Sequence, residues 1–387
     1  MGRDALSRPT GRASTCGISG GGTFVAESQG MGDLLCLADY ETAAEDRLPE
    51  PTWGFLQGGS GAEITLGANR AAFDRLALRP RVLVDVAKTD LGATLLGDPV
   101  RAPIGIAPMA YHRLAHPDGE VATARAAAEH GVPFVLSMFA SRTFADVAAV
   151  TTAPLWLQLY WLRRRDALAD LIRRAEDAGI RALVLTVDAP RVARRLRDLR
   201  SGFTVPPDIT AANVDPAAMA VAQTGESGSS IQSHSREQFD PTITWSDLGW
   251  LREFTRLPVL LKGILHPDDA RLAVEHGVDG VIVSNHGGRQ LDSAIAAVDA
   301  LPAVAREVAG RVPVLVDGGV RRGTDVLKAL ALGADAVLVG RPVLHGLAVA
   351  GAAGAGAVLG LLRDELAEAM VLAGAPRLAD IGPGLLP

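Results

Sequence analysis

The chain has 387 residues, 48% of them hydrophobic and 21% charged, with a net charge of −6. That balance suits a large soluble enzyme core and argues against a general nucleic-acid surface. Two cysteines, Cys16 and Cys36, build neither a disulfide framework nor a metal site, so a reducing, cytoplasmic setting is expected.

Residues 1–30 are rich in Gly, Ser, Thr and Arg without a continuous apolar segment, which predicts a disordered extension rather than a secretory signal. From Met31 to Arg47 apolar residues recur at helical spacing, predicting an amphipathic helix that stops near Pro49. Residues 53–61 read as a flexible turn and 62–76 as another helix, together an N-terminal helical pre-barrel segment.

Short apolar runs then alternate with charged helical stretches. Strands are expected over 104–107, 134–136, 155–159, 182–187, 259–261, 280–283, 314–316 and 336–339. Helices are expected over 118–130, 165–178, 267–276, 295–309 and 324–332. This repetition favours an α/β fold closed as a (β/α)8 TIM barrel over residues 31–387. Residues 201–244 carry no strand–helix unit and read as a long lid loop after the fourth strand, positioned over 201–213 and mobile near 225–235. The uncharged run 346–362 is interrupted by glycines and too short to span a membrane, so a packed barrel helix is expected.

Barrel enzymes place chemistry where strands end. Those ends here offer Met109 and Ala110, Ser137, Gln158 and Tyr160, Thr186 and Asp188, Lys262, Ser284 and His286, Asp317 with Gly318 and Gly319, and Gly340 with Arg341. His286 is a candidate base that Asp188 can orient, since a carboxylate beside imidazolium strengthens its hold on a proton. Arg289 and Arg195 supply forks matched to a carboxylate, although Arg191, Arg194 and Arg197 make a solvated basic face the competing reading. Two glycines between His286 and Arg289 would let the backbone approach something flat or anionic. Lys262 ends an apolar strand and needs an anionic partner, unless it serves as a Schiff-base lysine. Residues 317–323 and 340–341 fit a phosphate site built from backbone amides, a helix N-terminus, Arg321 and Arg341. No metal site is expected.

The stretch Ser284 to Asp292, Ser-Asn-His-Gly-Gly-Arg-Gln-Leu-Asp, resembles the active-site signature of the FMN-dependent 2-hydroxy acid oxidases and dehydrogenases, the group of glycolate oxidase, lactate oxidase and mandelate dehydrogenase. The resemblance implies FMN held by Met109, Ala110, Ser137, Gln158, Thr186, Lys262, Ser284, Asp317, Gly318, Gly319, Arg321, Gly340 and Arg341. It places Lys262 beside the flavin N1–O2 edge and Asp317 on a ribityl hydroxyl. It makes His286, Asp188 and Lys262 catalytic, and Tyr160, Arg195, Arg289 and Phe55 substrate-binding. The implied reaction takes a proton from an (S)-2-hydroxy acid at His286 and passes its electrons to FMN and then to O2, giving a 2-oxo acid. Hydride loss and initial carbanion formation would use the same residues.

Phe55 replaces a family tyrosine and Phe139 a tryptophan of glycolate oxidase, which implies an aromatic substrate such as mandelate or 4-hydroxymandelate. Residues 55–61, 107–117, 194–203 and 210–213 resemble the 4-hydroxymandelate-oxidising branch, enzymes of specialised metabolism. Ala110 is the residue of the oxidases where several membrane dehydrogenases carry glycine. Another acceptor, an aliphatic acid, an FMN-dependent isomerase and a non-catalytic flavin-binding barrel are the alternatives. The family also implies a homotetramer, with no membrane or nucleic-acid partner.

Overall fold

A computed structural model describes residues 31–214 and 238–387. The expected extension 1–30 and mobile stretch 225–235 lie outside the described residues. Eight parallel strands close into a barrel: β3 (Ile104–Ile106), β4 (Phe134–Ser137), β5 (Leu155–Leu159), β6 (Ala182–Thr186), β7 (Val259–Ile264), β8 (Gly280–Val283), β9 (Val314–Asp317) and β10 (Ala336–Val339), with β10 pairing β3. An antiparallel hairpin of β1 (Ala93–Leu95) and β2 (Asp98–Val100) precedes them.

The strands are apolar on both faces because both are covered. One set of side chains, including Val135, Trp156, Val184, Leu260, Ile282, Leu315 and Leu338, forms a cluster with Leu95 and Val100 of the hairpin and fills the barrel interior. The alternate set, including Ile106, Phe134, Leu157, Leu185 and Val283, joins the larger core beneath the helices. Side chains alternate along a strand, so the next inward position on each of these strands is Ser137, Gln158, Thr186, Lys262, Ser284, Asp317 or Gly340. The barrel core thus becomes polar at the strand ends by continuing one period-two pattern.

The helices expected from sequence lie where periodicity put them, within two residues at each end: α4 (Glu120–His130), α6 (Arg165–Asp177), α9 (Pro267–Glu275), α10 (Ala297–Val308) and α11 (Gly323–Ala331). Shorter helices α5 (Phe144–Ala148), α7 (Leu196–Ser201) and α8 (Leu248–Phe254) fill the connections. The pre-barrel segment differs from expectation. Its first helix, α1 (Leu37–Arg47), starts only after Cys36, where Asp39 accepts the Leu35 and Cys36 amides at 2.8 and 3.0 Å. Residues 53–57, read as a turn, belong to α2 (Glu50–Gln57), because Pro51 occupies its first turn, where no amide hydrogen bond is lost. The third helix is α3 (Ile64–Arg75).

The last helix, α12 (Arg341–Ala373), is by length and composition capable of crossing a membrane, yet 67% of its most apolar window is buried inside the fold. It breaks at Ala350 and Gly351 and packs on α1, α4 and α11. Its close contact with itself explains two glycines: a Cβ on Gly346 would come within 2.3 Å of the Gly354 carbonyl oxygen.

Candidate active site

A cavity of about 480 Å3 opens at the strand ends, within the range of small-molecule sites. Its wall includes every expected site residue except Asp188 and Ser284, which stand behind it. Two hydrogen-bonded groups form its polar belt. Ser137 Oγ donates to Gln158 Oε1 at 3.1 Å, and Gln158 Nε2 donates to Thr186 Oγ1 at 3.1 Å. Lys262 Nζ lies 3.0 Å from Asp317 Oδ2 and donates to Ser284 Oγ at 2.8 Å. Ser284, fully buried, also accepts the His286 amide at 3.0 Å, so it ties the lysine to the histidine loop instead of facing the cavity. Lys262 thus has the anionic partner its burial requires.

His286 Nδ1 lies 2.9 Å from Asp188 Oδ1. A carboxylate can only accept, so Nδ1 carries the proton and the neutral ring keeps its acceptor lone pair on Nε2. Burial pulls the imidazole's proton affinity below the ordinary histidine value; Asp188 opposes this, while Lys262 and Arg195 add to it. For Asp188, burial favours the neutral acid, but His286 and Lys262 outweigh it and hold the carboxyl below its usual range. Gly263 makes room for this pair: at φ 112° and a register shift between β7 and β8, its missing Cβ would sit 2.5 Å from Asp188 Cβ. Gln290 Nε2 clasps the same loop through the Asp188 and Arg191 carbonyls at 3.1 and 2.9 Å.

The glycines after His286 serve protein packing. A Cβ on Gly288 would meet the Leu66 amide of α3 at 2.6 Å, and one on Gly287 would meet Arg341 at 2.9 Å. His286 itself adopts a left-handed backbone, φ 59°. Asn285 braces the turn by exchanging hydrogen bonds with Asn69 of α3 at 2.9 and 2.7 Å.

The four cavity arginines differ in what they hold. Arg289 Nη1 donates to the Phe55 and Gly58 carbonyls at 2.8 and 2.6 Å, and its guanidinium lies over the Phe55 ring at 5.2 Å. Arg341 spends its fork on three carbonyls, of Leu56, Gly287 and Gly58. Arg321 lies 3.6 Å from Glu41. Arg195 is 7% exposed, and its guanidinium has no hydrogen-bond partner among the described residues. Burial lowers the pKa of Arg195 and, well below its ordinary value, that of Arg289, where Arg195 and Arg341 add repulsion. The competing reading of a solvated basic face describes Arg197, which pairs outside with Glu63 at 2.7 Å, and not Arg195.

The expected use of the α11 N-terminus for phosphate is not available. Asp325 accepts the Arg321 and Arg322 amides at 2.9 and 3.0 Å, and Glu365 accepts the Gly323 amide at 2.7 Å. Those donors are occupied, which leaves the Gly318–Gly319 turn, the start of α12 at Gly340 and Arg341, and the arginine side chains.

An aromatic wall that sequence reasoning did not assemble faces the polar belt. Tyr160 stacks on Phe239 at 4.4 Å, and Phe139 lies 5.7 Å from Tyr160 and 6.2 Å from Phe239. Phe55 stacks on Phe203 at 4.4 Å. The loop after α7 adds Val205, Pro206, Pro207 and Ile209. Its apolar residues in a Pro-rich stretch were the only local signal that it lines a pocket.

The site fits FMN on its own features. Asp317 Oδ1 is buried without a hydrogen-bond partner among the described residues, the polar belt supplies donors and acceptors along one wall, and Arg321 with Arg341 supplies charge for a phosphate. A model of the family described as FMN-dependent dehydrogenase matches residues 44–387. The L-lactate oxidase of Nostoc sp. is 47% identical over 90% of this chain and 97% of its own length. The peroxisomal (S)-2-hydroxyacid oxidase GLO3 of Arabidopsis thaliana is 45% identical, covering 91% and 96%. A crystal structure of mandelate oxidase with (S)-4-hydroxymandelic acid superposes with a TM-score of 0.87 at 46% identity, covering 91% of this chain and 98% of that one. With the polar strand ends and the His286–Asp188 pair set in one cavity, these matches make the chain a member of the FMN-dependent dehydrogenase family, an enzyme of its 2-hydroxy acid oxidase group.

Proposed function

We propose that this enzyme oxidises an aromatic (S)-2-hydroxy acid, such as mandelate or 4-hydroxymandelate, to the 2-oxo acid with O2 as electron acceptor. The observation that carries the reading is Arg195, a buried cation with no hydrogen-bond partner among the described residues, in the wall of an aromatic-lined cavity. Asp198 attracts it electrostatically, yet a buried guanidinium without hydrogen bonds is costly, and a substrate carboxylate lowers that cost. The stacked rings of Phe139, Tyr160 and Phe239 offer apolar surface that glycolate would leave unfilled. A relative crystallised with (S)-4-hydroxymandelic acid supports the same class, and oxidase relatives together with Ala110 support O2.

When bound, FMN supplies the two-electron acceptor. Arg195 and Arg289 bind the substrate carboxylate and fix the reacting carbon in the cavity. His286 Nε2 takes the substrate proton, from the hydroxyl or from Cα, and Asp188 stabilises the imidazolium that forms. Lys262, held by Asp317 and Ser284, gives the wall a fixed cation that favours negative charge beside it. The aromatic wall excludes water.

Anaerobic bleaching of the purified yellow protein by a panel of 2-hydroxy acids of both hands tests this. (S)-mandelate should bleach it faster than glycolate or lactate, and admitted O2 should restore the colour with one hydrogen peroxide per turnover. Preference for an aliphatic acid would overturn the substrate reading. Colour that stays bleached in O2 would overturn the acceptor.

A further inference from the structure

Tyr111 is an unexplained feature of the cavity. It is 5% exposed, lines the cavity and follows the loop of Met109 and Ala110, yet no step above uses it. Its backbone is left-handed, at φ 56° and ψ 56°, a conformation unfavourable for a bulky residue unless the surroundings impose it. They do so here. The Tyr111 amide donates to the Phe139 carbonyl at 3.2 Å. Buried Glu120 then ties the two loops together, accepting the His112 amide at 3.0 Å and the Ser141 amide and hydroxyl at 2.8 and 2.7 Å.

The result is a fixed ring order. Tyr111 stacks 6.3 Å from Phe139, which lies 5.7 Å from Tyr160. No described residue hydrogen-bonds the Tyr111 hydroxyl. Burial pushes its pKa up to about 12, so it remains a donor throughout the working pH range. A cavity-lining phenol that no described residue hydrogen-bonds, at the edge of an aromatic wall, is better explained by a polar ligand atom than by packing, which phenylalanine would serve.

We propose that Tyr111 is a specificity-determining residue whose hydroxyl hydrogen-bonds a polar ring substituent of the aryl substrate, favouring hydroxylated over unsubstituted mandelates. This rests on the aromatic reading above. The test compares kcat/KM for (S)-4-hydroxymandelate, (S)-4-methylmandelate and (S)-mandelate in the wild-type enzyme and in Tyr111→Phe. The preference for the 4-hydroxy acid over the other two should fall roughly two- to tenfold in the variant, the value of one neutral hydrogen bond. Equilibrium binding of the corresponding 2-oxo acids, followed through the flavin spectrum, should lose the same ratio. Unchanged ratios with all three acids oxidised would overturn the role of Tyr111 alone. A wild-type enzyme that none of the three acids reduces would overturn the aromatic reading and this assignment with it.

Discussion

Replacing Arg195 by methionine separates binding from folding by the sign of two effects. The side chain is 7% exposed with no hydrogen-bond partner among the described residues, so in the substrate-free protein it is a cost and in the complex an anchor. A bidentate guanidinium–carboxylate contact of two charge-assisted hydrogen bonds is worth about 3–5 kcal/mol. Its loss should lower kcat/KM by roughly two to four decades, mostly through KM. Removing a buried charge without hydrogen bonds in favour of a similarly sized apolar chain, while Arg289 still faces Asp198, should leave the substrate-free protein about as stable as wild type. Steady-state kinetics, FMN titration and urea unfolding of Arg195→Met measure the three quantities. Parallel losses of stability and of FMN affinity would refute the reasoning, because they would make Arg195 a structural residue.

Asp188→Asn should keep FMN bound and slow flavin bleaching in stopped flow by roughly 10²- to 10⁴-fold, since an amide cannot stabilise the imidazolium; bleaching at the wild-type rate would remove Asp188 from the mechanism. The base works as neutral imidazole and its pKa is lowered, so kcat/KM should fall as pH drops through an acid limb below the ordinary value of 6.5. A limb above pH 7 would contradict that direction. Lys262→Met leaves Asp317 buried and unpaired and should cost about 3–5 kcal/mol in urea unfolding, with Asp317→Asn restoring part of it; no recovery would show that the pair is not coupled. Gly263→Ala forces a Cβ against Asp188 and should cost activity far more than FMN binding; equal losses would indicate a general distortion of β7.

Much of the site was legible because it is periodic. Polar residues close each apolar run on its inward parity, so Ser137, Gln158, Thr186, Lys262 and Asp317 could be named before the barrel was seen. Ser284 shows the limit of that rule: it has the right parity and sits at a strand end, yet its hydroxyl is taken by Lys262 and the His286 amide. The α11 N-terminus shows another, because Asp325 and Glu365 consume the amides that a glycine-rich turn seemed to offer. The aromatic wall had no local signature. Phe55, Phe203 and Phe239 come from three irregular or short segments whose spacing carries no period.

By itself the sequence determined the barrel, its strand ends and the chemical types gathered there, since alternation along a strand is a property of neighbours. Tertiary structure decided which groups meet: His286 and Asp188 are 98 positions apart, and only the parallel pairing of β6 and β8 on either side of β7, with Gly263 leaving room for Asp188, brings them within a hydrogen bond. It also decided which cavity arginine is left without a hydrogen bond among the described residues. Pairing and desolvation are set by distant chain segments, and no window of local sequence contains them.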